Sequence, residues 1–116
     1  MRRPVLLAAS VLAVIALGAV AMTAAAATSV SVTAGKPQEL RFTLSKKTVS
    51  AGAVTFKVKN SGSVAHDFKI NGKRTKLLKR GRTTTLTVTL KKGSYTYQCT
   101  VPGHAAAGMK GKLTVR

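Results

Sequence analysis

The sequence predicts an all-β domain, a sandwich of about seven to eight short strands, that follows an N-terminal signal peptide. Three observations support this fold class. Apolar and polar residues alternate at a period of two, turn-forming residues separate these stretches at short intervals, and no long stretch repeats at helical spacing. The 116 residues are enough for one domain, and regularly spaced short strands are typical of a β-sandwich or a β-barrel.

The first 27 residues have the layout of a secretory signal peptide. Arg2 and Arg3 precede an apolar run over residues 5–22, and small residues with A-x-A cleavage sites follow. We therefore predict a signal peptide at residues 1–27 and an exported domain at residues 28–116, in the periplasm, at the cell surface or secreted. The apolar run is close to the ~18 residues that suffice to span a membrane, so an uncleaved anchor that tethers the protein to a membrane is the alternative.

Four strands are predicted in the first half of the domain. Residues 29–33 alternate serine or threonine with valine, and residues 39–44 place two leucines and a phenylalanine on one face. Residues 54–59 alternate valine or phenylalanine with threonine or lysine, as expected of a strand with one buried face. A turn-rich loop separates this strand from the short strand 66–70, which the tight-turn pair Asn71-Gly72 ends.

Three strands are predicted in the second half. Residues 83–90 alternate threonine with leucine or valine, and a Lys-Lys-Gly turn leads into the strand 94–99. The last strand covers residues 110–115. The basic segment 73–82 lies between strands, and its simplest interpretation is a solvated loop. A docking patch for an acidic partner is the alternative interpretation of this segment.

Basic residues dominate the charge of the chain. There are 20 Lys and Arg residues against two acids, Glu39 and Asp67, and the formal net charge is +18. Such a charge favours anionic partners: an acidic redox protein, an anionic membrane or cell-wall surface, or nucleic acid. The predicted signal peptide argues against nucleic acid as the natural partner.

The residues that follow the predicted signal peptide contain one cysteine, two histidines and one methionine. Cys99, His104 and Met109 have the spacing C-x4-H-x4-M, and His66 opens a predicted strand upstream. One thiolate, two imidazoles and a weak thioether are the donor set of a mononuclear electron-transfer copper, so we predict one copper ion per chain. Taken singly, such residues are more often a free thiol, surface histidines and a packed methionine. Zinc is a competing metal, although it rarely uses methionine.

The ligand loop resembles that of a known family. The motif YQCTVPGH at residues 97–104, followed by GMKG at residues 108–111, resembles the copper loop of the cupredoxins. Its Cys–His spacing is similar to that of azurin-like proteins rather than plastocyanins, and residues 60–68 resemble the first-histidine strand of the family. The resemblance implies a Greek-key β-sandwich with a type 1 (blue) copper. The ligands that it implies are His66, Cys99 and His104 in a plane around the copper and Met109 on its axis.

The resemblance implies a function as well as a fold. It implies transfer of single electrons between larger extracytoplasmic redox proteins. From the residues themselves we expect no enzyme. Two acids in the whole chain leave little for acid–base chemistry, and four protein ligands leave no open position for a substrate. Extracytoplasmic copper storage or delivery with the same ligands is the alternative function. A third hypothesis is a basic protein that binds wall or membrane polyanions, for which copper is incidental.

Two positions next to the ligands depart from the azurin-like pattern. Asp67 stands where asparagine usually follows the first histidine, and its carboxylate would hydrogen-bond Thr100, stabilise Cu(II) and lower the potential. A solvated or lysine-paired acid is the alternative. Val101 stands where phenylalanine is common, which should alter packing over the sulfur but not ligation. We expect the amides of Asp67 and Val101 to donate to the Cys99 sulfur, whereas Pro102 has no N–H.

An apolar surface around His104 is the predicted route for electrons. The residues around this histidine are small or apolar and uncharged: Val101, Pro102, Ala105, Ala106, Ala107 and Gly108. We expect this surface to dock an acidic redox partner, which the surrounding basic residues would steer into a small, weak encounter complex. We expect the protein to be a monomer.

Overall fold

The structure is a computed structural model and describes Pro4 and residues 27–116. The predicted signal peptide, and the membrane anchor that is its alternative, therefore lie almost wholly outside the described residues. In the part of the chain that is described, no helix is long and apolar enough to cross a membrane.

Nine strands within residues 27–116 form two mixed sheets around a shared core. The strands are β1 (Thr28–Ala34), β2 (Phe42–Leu44), β3 (Thr48–Val49), β4 (Gly52–Asn60), β5 (Lys69–Ile70), β6 (Lys73–Arg74), β7 (Thr83–Leu90), β8 (Gly93–Gln98) and β9 (Lys110–Val115). One sheet has the order β2-β1-β4-β7 and the other β3-β9-β8-β5-β6. Strands β1 and β4 pair in parallel, as do β3 and β9, whereas the other pairs are antiparallel. The predicted all-β sandwich is therefore confirmed.

Alternation along the strands sends one face of each sheet into the core. In β4, Val54, Phe56 and Val58 are fully buried, while the lysines that follow Phe56 and Val58 are exposed. Phe68 lies between the rings of Phe56 and Tyr97, with centroid distances of 5.1 and 5.6 Å. Burial of each large apolar side chain contributes about 1.5–3 kcal/mol, so this aromatic contact between the sheets is a main source of stability at the core.

Short strands account for the differences between the predicted and observed elements. Strands β3 and β6 have two residues each, too few to show a period, and the sequence does not predict them. The predicted strand 39–44 is a strand only from Phe42, because residues 39–41 leave the sheet. The predicted strand 66–70 is a strand only from Lys69, because His66 forms a single bridge with Leu78 instead.

The basic segment 73–82 is not simply a solvated loop, which corrects the simplest interpretation of its sequence. It begins with β6, and both Thr75 and Leu78 within it are buried. Leu78 and His66 exchange backbone hydrogen bonds, with N···O distances of 2.8 and 3.1 Å. The lysines and arginines of the segment are exposed, whereas Thr75 and Leu78 between them anchor the chain to the sandwich. The composition of the segment does not indicate this anchoring, since only two of its ten residues are buried.

The pairing of β5 with β8 brings two loops together at one end of the sandwich. Lys69 lies opposite Gln98 in this antiparallel pair, so the residues before β5 run beside the residues after β8. We call residues 61–67 the first-histidine loop and residues 99–109 the cysteine loop. The four predicted ligands all lie in these two loops.

Candidate metal centre

Three of the predicted ligands converge where the two loops meet. The Sγ atom of Cys99 is 3.9 Å from Nδ1 of His66 and 3.6 Å from Nδ1 of His104. One donor atom from each residue lies within 4.8 Å of the other two. His66 and Cys99 are buried, whereas His104 is partly exposed. Of these three ligands, His104 is therefore the one that reaches the surface.

The fourth predicted ligand, Met109, lies beside the other three. It is fully buried and packs with Cys99 and Ala34. The Cys99 N–H donates to the Met109 carbonyl at 3.1 Å, and the Met109 N–H donates to the His104 carbonyl at 3.0 Å. These bonds tie the two ends of the cysteine loop together, so the loop presents a cysteine, a histidine and a methionine from one rigid unit.

Backbone hydrogen bonds fix the shape of the cysteine loop between its ends. The His104 N–H donates to the Val101 carbonyl at 3.0 Å, and the Ala107 N–H donates to the Gly103 carbonyl at 3.1 Å. Gly103 has a φ angle of 85°, a conformation that residues with a side chain rarely adopt. The loop is therefore a series of turns that the local sequence itself specifies.

The buried donors suit a soft metal cation. Burial raises the pKa of the Cys99 thiol, while the backbone N–H groups of Asp67 and Val101 donate to its sulfur and partly offset this effect. Burial also lowers the pKa of His66, which keeps the imidazole neutral and a nitrogen lone pair available to a metal. A bound cation would deprotonate the thiol and neutralise the buried thiolate. A thiolate and two neutral imidazoles, with a thioether beside them, fit copper.

The comparison with known families agrees with this donor set. The model of the copper-binding proteins described as the plastocyanin/azurin family matches residues 25–116. The chain belongs to this family. The predicted cupredoxin resemblance and the predicted copper cofactor are therefore confirmed, and the His-Cys-His arrangement is that of a blue copper protein. Bound copper supplies a one-electron couple, and His66, Cys99, His104 and Met109 would hold it.

Solved structures also superpose on the chain. Auracyanin A, a "blue" copper protein from the green thermophilic photosynthetic bacterium Chloroflexus aurantiacus, is 28% identical with a TM-score of 0.66, over 77% of this chain and 98% of its own. Auracyanin B is 28% identical with a TM-score of 0.67, over 78% of this chain and 89% of its own. Reduced rusticyanin is 25% identical with a TM-score of 0.67, over 76% of this chain and 78% of its own. No curated protein sequence matches the chain.

Glu39 is a residue of the site that the sequence analysis does not predict. Its carboxylate accepts the N–H groups of Ser63 at 2.9 Å and Val64 at 2.7 Å, and Oε1 lies 3.3 Å from Nε2 of His66. These bonds hold the first-histidine loop from a segment 27 residues away in the chain. The one signal in the sequence is that Glu39 is one of two acids in a strongly basic protein.

The second acid, Asp67, joins the two loops. Its Oδ1 accepts the Thr100 N–H at 2.6 Å, and its Oδ2 accepts the Thr100 hydroxyl. This contact agrees with the register of β5 and β8, which places Asp67 opposite Thr100 when it is extended by two residues beyond Lys69 and Gln98. The alternative of a solvated or lysine-paired acid does not describe this carboxylate, since Asp67 is buried and bound to Thr100.

Arg41 holds the other side of the cysteine loop. Its Nη1 donates to the carbonyl of Ala107 at 2.9 Å and to its neighbour Leu40 at the same distance. A Cβ atom at Gly108 would collide with the Arg41 guanidinium, so glycine leaves the space that the arginine uses. Residues 39–41 therefore contact both ligand loops, which explains why they leave the sheet before β2.

The residues predicted to surround His104 lie at or near the surface. Those that are exposed are Pro102, Gly103, Ala106 and Ala107, and those that are partly exposed are Val101, His104, Ala105 and Gly108. No charged side chain belongs to this stretch of the cysteine loop. The surface next to the partly exposed ligand is therefore built from small or apolar groups, and the Arg41 guanidinium lies at its edge against Ala107 and Gly108.

Proposed function

We propose that the protein is an exported blue copper protein that carries single electrons between larger extracytoplasmic redox proteins, and that it is not an enzyme. The observation that supports this most directly is the difference in burial among the ligands. His66 and Cys99 are buried, whereas His104 is partly exposed within an apolar surface. Such a site shields the metal from solvent and leaves one ligand edge through which an electron can pass.

The chemistry of the surface near His104 favours an acidic protein partner. Leu77 is 57% exposed and lines a groove with Val101 and Pro102. Arg74 and Lys76 border the same groove. An apolar contact area with a cationic border would attract an acidic partner at long range and then exclude water at short range.

The remaining partner proposals rest on sequence features. Residues 1–27 support export, with the mature domain either released or tethered by an uncleaved leader. The net charge of +18 supports association with an anionic membrane or cell-wall surface, and export argues against a role in binding nucleic acid. We propose a monomer, because the net charge of +18 makes copies of the chain repel one another.

A visible absorption spectrum tests the copper chemistry. Purified protein titrated with Cu(II) should develop an intense blue band that saturates at one copper per chain. The band should bleach with ascorbate and return on oxidation, with copper retained throughout. Protein that stays colourless would contradict the proposal. Loss of copper on reduction would instead favour copper storage or delivery.

A charge placed in the apolar surface tests the docking role. Val101→Glu should slow oxidation of the Cu(I) protein by ferricyanide, an anionic probe, because a carboxylate then repels the oxidant next to His104. Ser50→Glu is the matched control, since it makes the same change in net charge at an exposed position between β3 and β4. Equal rates in the two variants would contradict electron transfer through this surface.

A further inference from the structure

Glu39 lies close to the predicted copper ligand His66, and hydrogen bonds from the backbone of the first-histidine loop hold its carboxylate there. The Ser63 N–H donates to both carboxylate oxygens at 2.9 Å and the Val64 N–H donates to Oε1 at 2.7 Å, so two backbone donors fix the carboxylate of Glu39. Its side chain is 36% exposed, so one side of the carboxylate remains in solvent while the other faces the fully buried ring of His66.

The orientation of His66 leaves Nε2 for this carboxylate. Nδ1 of His66 faces Cys99 Sγ, 3.9 Å away, so it is the nitrogen that would bind the metal. The ring proton must then be on Nε2, and the Nε2–H donates to Glu39 Oε1 at 3.3 Å. A carboxylate that accepts the second N–H of a ligating histidine fixes the ring and makes the metal-binding nitrogen a stronger donor.

Gly62 leaves the space that this contact requires. A Cβ atom at Gly62 would lie 2.6 Å from Glu39 Oε2 and 2.9 Å from His66 Nε2. The N–H of Gly62 donates to the buried side chain of Asn60, which places the loop backbone. The glycine, the carboxylate and the imidazole therefore form one packed arrangement rather than a chance surface contact.

We propose that Glu39 is a positioning residue of the copper centre, which orients His66 and lowers the reduction potential by stabilising Cu(II) relative to Cu(I). The proposal rests on the copper chemistry proposed above. The negative charge of Glu39 acts on the metal through the imidazole, and a stronger nitrogen donor favours the more highly charged ion. Arg41 and Leu40 follow directly in the chain and contact the cysteine loop and its buried cluster, so the same segment supports both halves of the site.

Glu39→Gln is the decisive variant. Glutamine has the same length and keeps an oxygen acceptor, but it removes the charge. We expect the blue band to persist and the ratio of Cu(II) to Cu(I) affinity to fall roughly tenfold, which raises the reduction potential by about 59 mV. A spectroelectrochemical titration against ferrocyanide and ferricyanide measures this shift. Ser50→Lys is the matched control, because it also adds one positive charge. Ser50 is exposed and follows Val49, which pairs with Val115 at the end of β9 opposite to Met109, so salt largely screens the added charge from the site.

The outcomes separate this proposal from the proposed function. A wild-type protein without a reversible blue couple contradicts the function itself. A normal wild-type couple with the same potential in Glu39→Gln and Ser50→Lys contradicts the role of Glu39 alone. A second measurement uses the reduced wild-type protein, in which NMR should detect a slowly exchanging Nε2–H proton on His66. An unprotected Nε2–H proton there would overturn the proposal even if Glu39→Gln failed to fold.

Discussion

The first-histidine loop and the cysteine loop are held in place by different means. The cysteine loop is shaped mainly by bonds between its own backbone groups, such as those from His104 to Val101 and from Met109 to His104. The first-histidine loop instead depends on side chains outside it, chiefly Asn60 and Glu39. One ligand loop is therefore specified locally and the other by tertiary contacts, and substitutions should affect them unequally.

Asn60→Ala should have the largest effect on stability. Asn60 is fully buried; its Nδ2 donates to the carbonyls of Val64 and Leu78, both at 2.8 Å, and its Oδ1 accepts the Gly62 N–H at 2.9 Å. Alanine would remove all three bonds and leave the Val64 carbonyl and the Gly62 N–H without this partner, while the Leu78 carbonyl keeps the His66 N–H. The cost is on the order of 3 kcal/mol in the free energy of unfolding. Urea unfolding of the metal-free protein measures this loss.

The exposed amide of Gln38 provides the control for this substitution. Gln38→Ala should change the unfolding free energy by no more than about 0.5 kcal/mol, as is usual for surface positions. A similar small loss in Asn60→Ala would mean that the first-histidine loop is held by other contacts, and the contrast between the loops would then fail.

Asp67→Asn tests the link between the two loops. Asparagine can still accept the Thr100 N–H, but it removes a negative charge beside the ligands. We expect the Cu(II)/Cu(I) affinity ratio to fall by up to about tenfold, so that the potential rises by up to about 59 mV. Voltammetry of both proteins measures the shift, and an unchanged or lowered potential would show that this carboxylate does not stabilise Cu(II).

The same contrast explains which parts of the molecule the sequence could predict. The bounds predicted for Thr83–Leu90 and Lys110–Val115 match the observed strands, since each has a clear period of two. Spacing predicts three ligands because they lie within the eleven residues of one locally folded loop, the cysteine loop. The residues that hold His66, namely Glu39 and Leu78, come from distant parts of the chain, and no local sequence pattern predicts these contacts.

Glu39 and Leu78 show this limit most clearly. Glu39 meets His66 across 27 residues, and Leu78 pairs with His66 from within a segment whose composition predicts a loop. Both contacts depend on how the sheets bring separate segments together. Charge is the one indication in the sequence, because a rare acid in a chain with 20 basic residues is a candidate for a specific role.

Arg41→Met should have a smaller effect than the substitutions above. The arginine is exposed and adds one bond from outside, at the Ala107 carbonyl, to a loop that already has its own backbone bonds. We expect a loss of at most about 1 kcal/mol in the free energy of unfolding, with the blue band unchanged. Arg80→Met, at another exposed position, controls for the lost charge. A loss in Arg41→Met as large as that in Asn60→Ala would contradict local specification of the cysteine loop.

Acid should loosen the first-histidine loop through Glu39. The Ser63 and Val64 N–H groups lower the pKa of Glu39 below its ordinary value of 4.5. The stability that this carboxylate contributes is therefore complete above pH 4.5 and is lost as the pH falls through the lowered value. The effect is small, since solvent reaches the side chain. NMR of the reduced protein from about pH 6 to about pH 3 should show the Ser63 and Val64 amide signals shifting in the wild type but not in Glu39→Gln. An identical shift in both proteins would mean that another group drives it, because glutamine cannot take up the proton.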